Sequence, residues 1–183
     1  MDKKIYEIIS MYEFTVTNGF LLTGIIAQNV YLLSLVAMLY GKQIPEKIIK
    51  NLILKNHPLN IRPSCAKDCD MINKGGCVGG ASGRGGFPSG HSTVASFLFF
   101  LYLQEFIARK GHCSKSALVI TFLFLILLPY ARVKLACHTI PQVIGGIVLG
   151  CLLALIYFQL DVNVFCLNNR YKSDKEKVYN FIS

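Results

Sequence analysis

At 183 residues the chain has the length of one domain, but 53% hydrophobic against 16% charged residues excludes an ordinary soluble domain of this size. The formal charge of +9 calls for an anionic partner or a membrane surface, and the placement of the basic residues along the chain accounts for it without nucleic acid. The sequence carries no internal repeat and no low-complexity tract.

Taken in chain order, residues 1–19 begin MDKKIYEIISMYEF, whose charges would be costly in hydrocarbon, so this segment is predicted to lie at a membrane interface. Between Glu13 and Lys42 there is no acid or base, and Phe20 to Tyr40 is about the length that crosses a bilayer core. It is predicted to be one transmembrane helix, retained in the mature chain, because it is too long for a signal-peptide core and no small-residue cleavage site closes it. Ile44 to Asn56 (IPEKIIKNLILKN) has apolar residues at helical spacing interrupted by Lys47, Lys50 and Lys55. This is a short helix that either crosses with snorkelling lysines or lies in the interface.

Residues 57–91 form a long polar loop rich in Gly, Cys, Asn and Ser, of a length that is usually functional or disordered. Three more apolar segments follow: Ser92 to Ala108, Ser116 to Ala131 and His138 to Phe158. The first two reach only about 25 Å as helices, which suits a thin membrane. The fold class is therefore all-α, a polytopic helix bundle with four spans and a short fifth helix in a single domain. Residues 161–183 form a basic tail.

If Ser92–Ala108 starts on one face, the turn at RKGHCSK lies on the other, and the next span returns to the first face at Arg132. Lys55, Arg62, the FPSGH loop with Ser89, Gly90 and His91, Arg132 and His138 then converge on one side. Backbone N–H groups at a helix start favour an anion, and Lys and Arg add charge-assisted hydrogen bonds. Planar guanidinium forks with a lysine point charge suit phosphate oxygens, and the two histidines can divide the roles of nucleophile and acid.

With those residues in place the chain resembles the type 2 phosphatidic acid phosphatase superfamily, whose pattern runs K-x6-RP, PSGH, SR-x5-H-x3-D. The matching residues are Lys55, Arg62 and Pro63, then Pro88-Ser89-Gly90-His91, then Arg132 and His138. Two positions depart: Ala131 stands in place of serine and Gln142 in place of aspartate. The stretch ARVKLACHTIPQVIGG, with its glutamine, is similar to the dolichyl diphosphatase branch. The resemblance implies a polyprenyl diphosphate hydrolysed to the monophosphate. It also implies that His138 is the nucleophile that becomes phosphohistidine and His91 the acid and base, with Lys55, Arg62, Arg132, Ser89 and Gly90 holding the phosphoryl oxygens. Gln142 would orient the ring of His138, and Gln142→Asp is expected to leave the fold intact.

Each residue also has a blander reading. Lys55 suits an interface lysine, Arg132 and His138 suit span-end anchors, and Ser89 suits a helix cap. His57 and His112 fall on no motif position, and Lys134 and Arg84 lie near the site but outside the pattern. No metal and no cofactor are implied: Asp68-Cys69-Asp70 sits in a cysteine-rich loop rather than after an apolar strand, and carboxylates are few on this face. Cys65, Cys69 and Cys77 have spacing foreign to common zinc modules, and Cys137 is expected to form a disulfide with one of them if that side is oxidising. Cys113, Cys151 and Cys166 read as free thiols. Arg109, Lys110, Lys115, Arg170, Lys172, Lys175 and Lys177 place the opposite face in the cytosol, so the site would face the endoplasmic reticulum lumen or its equivalent. Phosphatidate or another lipid monoester as substrate, phosphoryl transfer to another alcohol, and a non-catalytic lipid-phosphate-binding relative all remain open alternatives at this stage.

Overall fold

The computed structural model describes residues 3–64, 66, 85–108, 115–163 and 169–182. Cys65, Cys69, Cys77, Arg84, His112, Cys113 and Cys166 lie outside the described residues, as do Asp68, Asp70, Arg109 and Lys110. The architecture is all-helical: α1 Lys3–Ser10, α2 Tyr12–Ile26, α3 Val30–Gly41, α4 Gln43–Ile48 continued by a π-helical turn Ile49–Ile53, α5 Gly90–Ala108, α6 Lys115–Lys134, α7 Ile140–Asn163 and α8 Asn169–Ile182.

The apolar run Phe20–Tyr40 is not one helix, which corrects the first predicted span. Gln28 adopts a left-handed conformation with φ 48°. Asn29 is extended, and its side chain accepts from Leu32 N at 3.0 Å, capping a new helix. The chain folds back into an antiparallel hairpin closed at its far end by Glu13 and Lys42, 2.7 Å apart. At 15 and 12 residues the two arms are about 22 and 18 Å long, short of a bilayer core. Only α6 and α7 among the described helices are long and apolar enough to cross a membrane.

The centre of the bundle is α5, which packs chiefly against α7, with α6 beside it. Close approach needs small residues, and a Cβ at Gly146 would strike the Ser89 carbonyl while one at Gly150 would strike Ser96 Oγ and the Thr93 carbonyl. Gly146-x3-Gly150 is thus a small-residue seam of the kind that lets helix backbones meet. Leu35 and Leu39 of α3, Val94, Phe97 and Leu101 of α5, and Leu153 and Tyr157 of α7 complete the core. Outward, Ile120, Leu123 and Ile126 of α6 and Ile144, Val148 and Leu152 of α7 are exposed, an apolar belt that suits lipid.

The tail is more than a basic extension, because α8 docks on the end of the bundle opposite the site. Lys175, buried, pairs with Glu105 at 2.5 Å and with Asp161. Asp174 Oδ2 accepts from Val30 N at 2.9 Å, at the N-terminus of α3. Tyr31, Tyr157, Tyr171 and Tyr179 join their hydroxyls around this point.

Candidate active site

Arg62, Gly90, His91 and His138 come together at one end of α5, α6 and α7, as the span order predicts. The C-terminus of α6 sets the geometry. Ala136 takes φ 53°, its N–H donates to Val133 O, and the Cys137 and His138 N–H groups reach back to Arg132 O at 3.0 and 3.3 Å. This is a Schellman closure with alanine where glycine is usual, and it lays His138 beside the last turn that carries Arg132. His138 precedes α7 rather than lying on it, which corrects the predicted start of the last span.

Gln142 then does more than share a helical face with His138. Its Oε1 accepts from the Thr139 N–H at 3.1 Å, the back half of a capping box at the start of α7, and lies 3.2 Å from His138 Nδ1. Its Nε2 donates to the Leu59 and Ile61 carbonyls at 2.9 and 2.7 Å, holding the segment that leads into Arg62. Its backbone carbonyl accepts from Ser89 N at 2.9 Å, tying in the FPSGH loop. One fully buried residue therefore connects all three motifs. A Cβ at Gly86 would lie 2.5 Å from Gln142 Nε2, so that glycine is dictated by space.

The two carbonyls fix which way the amide points, and this decides the tautomer of His138. Because Oε1 can only accept, His138 Nδ1 must carry the proton, leaving the lone pair on Nε2. Burial, followed by the positive charges of Arg132 and Arg62 and then by His91 and Lys50, holds the imidazole well below the ordinary histidine range. A neutral ring with an available Nε2 is what a nucleophile requires. The expectation that Gln142→Asp leaves the fold intact gives way to this geometry, since a carboxylate cannot donate to the two carbonyls.

A cavity of ≈ 500 Å³ opens over these groups, and His138, His91, Gly90, Arg62 and Lys50 all line it. Arg132 is fully buried behind it. Asn60 braces the rim: its Nδ2 donates to Lys50 O at 2.9 Å, its Oδ1 accepts from Phe87 N at 3.1 Å, and its own carbonyl accepts from Gly86 N at 2.7 Å.

Two predicted residues are placed elsewhere. Lys55 is exposed, just beyond the π-helical turn, and does not line the cavity; Lys50, inside that turn, does. Ser89 is fully buried, its hydroxyl accepting from Ser92 Oγ at 3.1 Å and its carbonyl from Thr93 N, so it serves the start of α5 rather than the cavity wall. Ala131, in the place of the family serine, is also fully buried.

Sequence reasoning missed Lys50, Asn60 and the N-terminal contribution from Glu13, which lines the cavity with Lys42 and Glu46. The capping box from Thr139 to Gln142 was a readable signal. Cys137 is disulfide-bonded, as expected, whereas the expected partners Cys65, Cys69 and Cys77 lie outside the described residues; Cys151 is free. Among the described residues no group of acids, histidines and cysteines is arranged to hold a metal ion.

The sequence model of the PAP2 superfamily matches residues 24–165. No curated protein and no solved structure matches the chain.

Proposed function

Because the chain belongs to the PAP2 superfamily, a family of phosphatases acting on lipid phosphates, we propose that it hydrolyses a polyprenyl, dolichyl-type diphosphate to the monophosphate. The observation that carries the mechanism is the forced orientation of Gln142, which leaves His138 Nε2 as the attacking atom. Nε2 attacks the terminal phosphorus, the bridging P–O bond breaks, and His91 protonates the leaving oxygen. Water, losing its proton to His91, then displaces phosphate from His138. Arg62, Arg132 and Lys50, with the Gly90 N–H at the start of α5, are suited to the phosphoryl oxygens. The reaction draws on no metal.

An amide beside His138 stabilises accumulating positive charge less than a carboxylate would, which matters most when the leaving group is poor. This favours a diphosphate, whose leaving group is itself a phosphate, over a monoester. The protein should prefer polyprenyl diphosphate over phosphatidate by at least about tenfold in kcat/KM, about 1.4 kcal/mol. It should work in EDTA and be inhibited by vanadate. Assay of purified protein against lipid mono- and diphosphates in one detergent tests this; equal turnover or a monoester preference defeats the substrate reading, and magnesium-restored activity defeats metal independence. The same reading puts the active face in the endoplasmic reticulum lumen, so a glycosylation site inserted between Lys74 and Arg84 should be modified in microsomes and one near Lys175 should not.

A further inference from the structure

The histidine expected to act as acid has a carboxylate partner from an unexpected part of the chain. Glu13, on α2 and ahead of the family-matched segment 24–165, places Oε2 3.3 Å from His91 Nδ1. Its other oxygen, Oε1, lies 2.7 Å from Lys42 Nζ, so the carboxylate is held from two sides. The hairpin fold of α2 and α3 brings it there.

The electrostatic setting makes this contact consequential. The cavity around His91 presents Lys42, Lys47, Lys50, Arg62 and His138, with Arg132 buried behind. Each cation disfavours a positive charge on the imidazole of His91. Glu46 is the other carboxylate lining the cavity, and it lies against Lys42 and Lys50 at 3.2 and 3.7 Å. Among the described residues, Glu13 lies within ion-pair distance of the ring.

We propose that Glu13 is a positioning residue that orients His91 through Nδ1–H and holds it as the imidazolium, so that Nε2–H faces the leaving oxygen. The inference rests on the phosphatase reading above and deepens it. The two histidines are then set apart by their surroundings: burial and neighbouring cations keep the nucleophile neutral while an amide fixes its tautomer, and a carboxylate keeps the acid charged. In the first step the Nε2 proton passes to the bridging oxygen as its bond to phosphorus breaks. In the second, neutral His91 takes a proton from water as the P–N bond to His138 breaks, and the imidazolium is restored beside Glu13.

The test compares wild type, Glu13→Gln, Glu13→Asp and Lys42→Met. Because the acid must be protonated, kcat/KM falls as pH rises through its titration. Loss of the carboxylate should move that alkaline limb down by about one pH unit. Glu13→Asp should restore part of the shift. Lys42→Met, which removes only the competing cation, should leave the limb in place or move it up. p-Nitrophenyl phosphate, with its good leaving group, should lose less kcat in Glu13→Gln than a lipid phosphate monoester, whose alkoxide leaving group needs the proton. Titration of 15N-labelled His91 by NMR gives the same shift without turnover. An unshifted limb and unshifted His91 titration in Glu13→Gln overturn the assignment. So does a Lys42→Met protein that reproduces the Glu13→Gln profile, since Glu13 would then act only by closing the hairpin. Failure of the phosphatase reading itself would show separately, as wild-type protein inactive on every lipid phosphate while the His91 titration still responds to Glu13.

Discussion

Replacing Gln142 by glutamate keeps the shape of the side chain and removes its two donors. In the native protein Nε2 donates to Leu59 O and Ile61 O, at 2.9 and 2.7 Å, from a fully buried position. In Gln142→Glu a carboxylate oxygen faces those carbonyls instead. The two bonds are part-buried, with acceptors on exposed residues, so losing the pair costs about 1–3 kcal/mol. Attraction between the new charge and Arg132 offsets part of this, and desolvation of the carboxylate adds to it. The unfolding midpoint in detergent, followed by far-UV circular dichroism, should fall by about 4 °C. Activity should fall too, because Leu59 to Ile61 leads directly into Arg62 and because the Ser89 loop leans on the same residue. Gln142→Met, which loses the bonds without adding charge, should be destabilised as well. A Gln142→Glu protein that melts at the native temperature and turns over faster would refute the reasoning, since Gln142 would then act on His138 alone.

Lys50→Met should lower kcat/KM by about 10²-fold, the scale of removing one donor from a developing charge, whereas Lys55→Met should stay within about threefold; the reverse order in one assay would restore Lys55 to the site. Lys175→Met strands the carboxylates of Glu105 and Asp161 and should cost about 3–5 kcal/mol, read as a lower melting midpoint and faster proteolysis of α8; an unchanged midpoint would show that α8 docks by its tyrosines. His138 is neutral in the fold and protonates near pH 6.5 when unfolded, so the unfolded state binds more protons below that pH and stability falls as pH drops through about 6.5. His138→Gln should flatten that slope, and an equal slope in both proteins would place its origin elsewhere.

The parts of this molecule that were legible in the sequence are those governed by local order. Arg62, the FPSGH loop, Arg132 and His138 do meet on one face, because the alternation of apolar segments and turns forces the span ends together. The parts that were not legible depend on departures a periodic reading averages out. The break at Gln28 and Asn29 lies in an apolar run without proline, whose glycine, Gly24, sits inside α2 rather than at the break, and its signal is a single capping asparagine. The π-helical turn changes the angular spacing along Ile49–Ile53, so counting back from Arg62 selects Lys55 while the fold presents Lys50. Glu13 reaches His91 because the hairpin returns it there, and nothing in sequence marks it out from Asp2 and Glu7. Gln142 departs from aspartate in sequence, and the departure brings two donors to the Leu59 and Ile61 carbonyls as well as removing a charge.

The central claim is that phosphorus is transferred to Nε2 of His138. Purified protein would be mixed briefly with polyprenyl diphosphate labelled with 32P in the terminal phosphate, quenched in alkali and mapped by peptide. An alkali-stable, acid-labile label is expected on the peptide carrying His138, phosphorylated at Nε2, and absent from His138→Ala. Label on any other residue, or full hydrolysis by His138→Ala, would contradict it.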